Sequence, residues 1–117
     1  MAPADPITTS VAHRGGAAVV SIGGEIDSST APAFEEAIAQ ALEVNPTVLA
    51  IELSEVTFMA SVGLRILAAT NEKVSESTRI AVVANSPAAS RPIQLTGLDH
   101  IVAMYPTLDA ALSATNG

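Results

Sequence analysis

Cysteine is absent from the 117 residues, and with it go disulfides, thiol redox control, thiolate nucleophiles and cysteine-ligated zinc. Aromatic residues make up only 3% of the chain and tryptophan is missing, while 49% is apolar, so the core has to be assembled from Val, Ile, Leu and Ala. Small branched side chains of that kind suit layered α/β packing. Basic residues are scarce too: five Lys and Arg against twelve Asp and Glu give a formal net charge of -7. Nucleic acids and anionic membranes both demand concentrated positive charge, so neither is an expected direct partner. A basic or mixed protein surface fits better. His13 and His100 are the two histidines, and neither has a second ligand at metal-binding spacing, so no metal and no cofactor are expected. Met1 to Pro6 lack both a basic start and an apolar run, which argues against a signal peptide or membrane span. Residues 1–6 read as a disordered lead-in to a single domain over 7–115, and the protein is expected to be cytoplasmic.

What is present alternates between strand and helix patterns. Ile7 to His13 and Ala17 to Ile22 are β-prone runs on either side of Arg14-Gly15-Gly16, where glycine can supply the positive φ of a tight turn, so an antiparallel hairpin is expected. Ser28-Ser29-Thr30, Pro32 and Glu35-Glu36 read as the caps, proline and acids of a first helical turn, and Phe34, Ile38 and Leu42 form one apolar stripe. Asn45-Pro46 stops that helix. Val48 to Leu53 is almost continuously apolar, the pattern of a central strand covered on both faces. A second helix follows, with Ser61 as its cap and Leu64, Leu67, Ala68 and Val74 on its inward side. Ile80 to Ala84 is a further buried strand. Asn85-Ser86-Pro87 opens a third helix, which Gly97 can close in the left-handed conformation. Ile101 to Tyr105 and Thr107 to Leu112 finish the chain as a strand and a short helix. Pro92 would cost about 3 kcal/mol inside a regular third helix, so that helix should kink or begin late, near Ser90. Two opening strands followed by strict alternation imply an α/β fold: a mixed β-sheet with parallel central strands, right-handed crossovers and about four helices.

Two stretches within this frame carry a resemblance. Gly24-Glu25-Ile26-Asp27 is similar to a Gly-Glu-Leu-Asp signature after a second strand, and Phe58-Met59-Ala60-Ser61-Val62-Gly63-Leu64 is similar to a Phe-Met-Asp-Ser-Ser-Gly-Leu loop. Ser86-Pro87 and Thr96-Gly97-Leu98 also match at the two ends of the third helix. Over nearly its whole length the chain resembles the STAS domains of bacterial anti-sigma factor antagonists. The resemblance implies a STAS fold without enzymatic activity. It implies as partner an anti-sigma factor of the serine-kinase type, which the antagonist binds to release a sigma factor. It makes Ser61 the phosphoacceptor whose modification ends that binding. It sets Asp27, Ser28, Met59, Ala60, Val62, Gly63 and Leu64 on the partner-facing surface. One departure bears on the switch: Ala60 stands where the family carries an acid, which removes a hydrogen-bond partner at the phosphorylation site and makes the loop more apolar. Oligomeric state is left open.

The residues by themselves are compatible with such a switch. A helix N-terminus favours negative charge, so a phosphate of about -1.5 to -2 charges on Ser61 would leave the fold intact and change the surface. Arg65, one turn further, could neutralise it, and Gly63, lacking a Cβ, could let a partner backbone approach. The plainer alternatives are an N-cap serine worth about 1 kcal/mol, a solvated or capping Asp27 and Glu25, and core or rim packing for Phe58 and Met59. A hydrolase is excluded on the motif, because Met59 replaces the first glycine of Gly-x-Ser-x-Gly, and Gly23-Gly24 lacks the Lys of a phosphate loop. No catalytic residue is assigned. Within the same fold, the alternative function is that of an accessory STAS subunit of a membrane lipid or anion transporter.

Overall fold

The computed structural model describes residues 7–74 and 76–116. The elements are β1 (Ile7–Arg14), β2 (Ala17–Ile26), α1 (Ala31–Leu42), β3 (Val48–Met59), α2 (Ser61–Val74), β4 (Arg79–Val83), α3 (Pro87–Leu95), a 3-10 turn (Leu98–His100), β5 (Ala103–Tyr105) and α4 (Leu108–Asn116). The expected lead-in at 1–6 lies outside the described residues. The strands form one sheet in sequence order, with β1 antiparallel to β2 and every later pair parallel. Gly15, at φ 59, makes the turn of the β1–β2 hairpin as its position predicts.

Each parallel crossover steps one strand in the same direction, and right-handed crossovers then put their helices on the same face. Packing bears this out. Phe34 and Ile38 of α1, Ile66 and Leu67 of α2, and Ala89 and Ile93 of α3 share one core with Val20, Ile22, Leu49, Ile51, Ile80 and Val82 of the sheet. Side chains alternate along a strand, so Ala81 and Val83 point the other way, and there they meet Ala111 of α4. β3 is central, and Leu49, Ala50, Ile51 and Leu53 are fully buried.

Several boundaries differ from the sequence expectations. β2 continues past Ile22 to Ile26, and β3 past Leu53 to Met59, because the two strands stay paired through two irregularities. Ser21 faces Glu52 but Gly23 faces Glu55, and Gly24 faces Val56 but Glu25 faces Phe58, so β3 carries one extra residue at each step. The polar residues Ser54 and Glu55 at the first step had broken the apolar run that marked the strand. α1 starts at Ala31, so Pro32 falls in the first turn while Glu35 and Glu36 lie beyond it. α2 buries Gly63, Ile66, Leu67, Thr70 and Val74, whereas Leu64 and Ala68 are half-buried. α3 does begin at Pro87, with Pro92 inside it, so the late start near Ser90 is not adopted. Gly97 ends that segment at φ 78. β5 is shorter than expected, since Leu98, Asp99 and His100 form a 3-10 turn and leave Ile101 outside the sheet and exposed. Thr107 precedes α4 and its Oγ1 accepts the Ala110 N–H at 3.1 Å.

Candidate functional site

Parallel strands of this kind gather loops at their carboxyl ends, where grafted sites are commonly found. Here β2 and β3 end side by side, with Ile26 paired to Met59. Ala60 then donates its N–H to the Ile26 carbonyl at 2.8 Å, which fastens the turn entering α2 to the turn entering α1. The two stretches that carried the resemblance are therefore one contiguous surface.

The β2–α1 turn is locked by its own side chains. Asp27 Oδ1 accepts from Ser29 Oγ at 2.7 Å, the Ser29 N–H at 2.9 Å and the Thr30 N–H at 3.1 Å. The Ser29 hydroxyl, helped by those backbone N–H groups against the opposing effect of desolvation, holds the Asp27 carboxyl below the usual carboxylate range. Thr30, which the sequence presents as a cap and, with Ser28 and Ser29, as another hydroxyl that could take the phosphate, is the buried member of the turn. Its hydroxyl donates to the Glu25 carbonyl at 2.8 Å and accepts the Asp27 N–H at 2.9 Å. That leaves it unavailable to a modifying enzyme. Ser28 is exposed at the tip.

Ser61 is the first residue of α2, not a cap before it, and its side chain is exposed without a hydrogen bond among the described residues. It lies on a groove of about 500 Å³ between α2 and the end of α3, shared with Leu64, Arg65, Ala68, Gly97 and Ile101. Arg65 is the charged residue of that lining. A negative group on Ser61 would meet the α2 N-terminus and have Arg65 one turn away.

The other expected partner-facing residues separate into two groups. Ala60, Val62 and Leu64 are partly accessible beside Ser61. Met59 and Gly63 are buried, Met59 at 5% exposure, so neither presents a side chain to a partner. A Cβ on Gly63 would come within 2.9 Å of Ile26 Cγ2 and 3.0 Å of Met59 Cγ, so the glycine permits close packing inside the fold. Four large apolar side chains that the motifs did not single out as partner contacts are exposed: Val44 at 59%, which lies beside the β1–β2 hairpin turn and away from this face, and Phe58 at 49%, Leu95 at 80% and Ile101 at 56%. Phe58 and its cross-strand neighbour Glu25 lie at the β2–β3 end, while Leu95 and Ile101 border the end of α3. A signal for Leu95 was available, since it sits two residues from the buried Ile93 and so off the inward stripe of α3.

A mixed five-stranded sheet with four helices, its two signature turns pinned together beside a serine that has no hydrogen bond among the described residues, defines a small α/β domain built on one sheet. The chain belongs to the STAS domain family, which it matches over residues 8–111. It is 50% identical to the anti-sigma-F factor antagonist RsfB of Mycobacterium tuberculosis, over all of this chain and 96% of that one. It superposes on the crystal structure of an anti-sigma factor antagonist from Mycobacterium paratuberculosis with a TM-score of 0.92, at 51% identity and with both chains fully covered. The unphosphorylated anti-sigma factor antagonist SpoIIAA has the same fold, at a TM-score of 0.77 and 18% identity over 94% of this chain and 97% of that one. No helix among the described residues is long and apolar enough to cross a membrane.

Proposed function

We propose that residues 7–115 act as one anti-sigma factor antagonist module, binding an anti-sigma factor of the serine-kinase type in the cytoplasm and thereby releasing a sigma factor. Phosphorylation of Ser61 ends the binding. The module works by binding and carries out no catalysis of its own. What supports the partner class is the half-identical relative named for antagonism of anti-sigma-F factor. What carries the switch is the state of Ser61: exposed, unbonded, at the start of α2 and on an otherwise apolar groove with Arg65.

The contact surface in this reading runs from Asp27 and Ser28 across Ala60, Ser61, Val62 and Leu64 to the exposed Leu95 and Ile101. Apolar anchors of that type supply most of the energy at a fitted interface. A phosphate placed among them brings a charge that the partner would have to desolvate, at a cost of several kcal/mol, and each ~1.4 kcal/mol is tenfold in affinity. Arg65 softens this cost within the free antagonist, which lets the phosphorylated form stay folded and inactive.

Capture from cell extract with wild type, Ser61→Ala and Ser61→Asp, followed by mass spectrometry of the bound proteins and of the phosphate position, tests partner and switch together. The expected result is an anti-sigma factor on wild type and Ser61→Ala and its loss on Ser61→Asp. Equal recovery on all three would leave antagonism standing and remove Ser61 as its control, whereas recovery of transporter subunits would overturn the assignment of partner.

A further inference from the structure

α1 and α2 lie on the same face of the sheet and leave a groove of about 420 Å³ between them. Its floor is apolar, made by Ile38 and Leu42 of α1 and by Val62, Ile66 and Ala69 of α2. The groove follows α2 from Val62 to Lys73, about 16 Å or three helical turns. Its charges are sorted by wall. Glu35 is the charged residue on the α1 side, and Arg65 and Lys73 are those on the α2 side. All three are exposed, and none forms an ion pair with another described residue. Glu36, Glu43 and Glu72 are exposed as well but lie outside the lining.

These features choose among occupants. An acyl chain brings one carboxylate, which cannot meet both cations across ~12 Å of helix and would be repelled by Glu35. An extended peptide would bury its backbone N–H and C=O groups against helix walls that have spent theirs internally. A helix satisfies its own backbone and fits its ridge into a groove between two others. This chain does not supply that helix: α1 and α4 contain no Lys or Arg, α3 contains no Asp or Glu, and α2 sets Glu72 beside its own Lys73. Residues 1–6 hold two prolines and no base, in less than the length of two turns.

We propose that the α1–α2 groove receives one helix of a partner protein. That helix has about three turns, apolar residues at i, i+3 or i+4 and i+7, acids on the flank that meets Arg65 and Lys73, and a base on the flank that meets Glu35. Acids two turns apart repeat the spacing of the two cations. The inference does not rest on the Ser61 reading, because Ala69 and Lys73 do not line the groove beside Ser61. Arg65 lines both grooves, so the test leaves it untouched.

The probe is a fluorescent synthetic helix of about four turns, with a leucine stripe, Glu along one flank and Lys along the other, titrated with the full chain and followed by anisotropy. It should bind, and a control helix with Lys along both flanks should bind roughly tenfold or more weaker. Lys73→Glu should remove most of that preference. Ala69→Gln, which lengthens an exposed side chain of the groove, should weaken the mixed-flank helix by roughly tenfold or more. Both variants should melt as wild type does, since both positions are exposed. Absence of binding, equal binding of the two helices, a preference undiminished by Lys73→Glu, or binding untouched by Ala69→Gln would each overturn the proposal. So would a dimer of the chain that Ala69→Gln dissociates, which would give the groove to a second copy.

Discussion

Gly63 has the smallest side chain of the serine motif and almost no room around it. The added methyl of Gly63→Ala would press on Ile26, which is fully buried and branched at Cβ, and on the more yielding Met59. Overpacking of that kind costs about 1–3 kcal/mol. Gly63→Ala should therefore lower the melting temperature, and any loss of partner binding should follow from stability. Ser61→Ala changes an exposed, unbonded side chain and should melt within about 0.5 kcal/mol of wild type. A normal melt for Gly63→Ala together with lost binding would return the glycine to the interface. Asp27 is a different kind of residue, because its carboxylate is spent on its own turn. Its folded pKa lies below the unfolded carboxylate value of ~3.9, so its stabilisation is complete above that value and is lost as pH falls through the folded pKa. Asp27→Asn should remove this component. Chemical denaturation from neutral pH into that acid window should show a shallower fall for the variant, and parallel curves would mean that the Ser29 and Thr30 contacts carry no charge-dependent energy.

The elements show how a pattern can be read and where it misleads. The β1–β2 hairpin and the closing of α3 at Gly97 were legible because glycine was needed at one positive φ in each. The serine motif was legible as a motif, but the burial of Met59 and Gly63 was not, because it depends on β2 and β3 remaining paired past two irregularities that no local pattern encodes. The Thr30 lock was hidden for a similar reason. A threonine before a helix looks like a cap, and only the folded turn shows its hydroxyl bridging the Glu25 carbonyl and the Asp27 N–H. Thr30→Val keeps the shape and strands both groups, so it should cost about 1–3 kcal/mol by denaturant titration and loosen the partner-facing turn. Pro92 is the element-scale opposite. It denies the Ala88 carbonyl its helical donor, and α3 forms regardless because Ala89 and Ile93 are buried against the core. Replacing it in Pro92→Ala should stabilise the protein by about 2 kcal/mol, the helix gain of ~3 less the flexibility restored to the unfolded chain. A destabilised Pro92→Ala would show that the ring packs better than it bonds.

At the scale of the whole molecule, charge and apolar contact divide the labour of recognition. The chain carries twelve acids against five Lys and Arg, yet the groove beside Ser61 is lined mainly by Leu64, Ala68, Leu98 and Ile101 with Arg65. A field of net charge -7 acts at a distance and raises the encounter rate with a basic partner surface. The groove acts at contact and sets how long the complex lasts. Raising ionic strength should therefore slow association while leaving dissociation nearly unchanged, as followed by surface-immobilised partner at several salt concentrations. Leu95→Ala and Ile101→Ala should do the reverse, each speeding dissociation by roughly tenfold or more with association little altered. The two perturbations should combine without interaction, because one acts before contact and the other after it. If salt instead speeds dissociation as strongly as it slows association, then paired charges must be buried in the complex, and Arg65, on the groove beside Ser61, becomes the residue on which both the binding and its phosphate control turn.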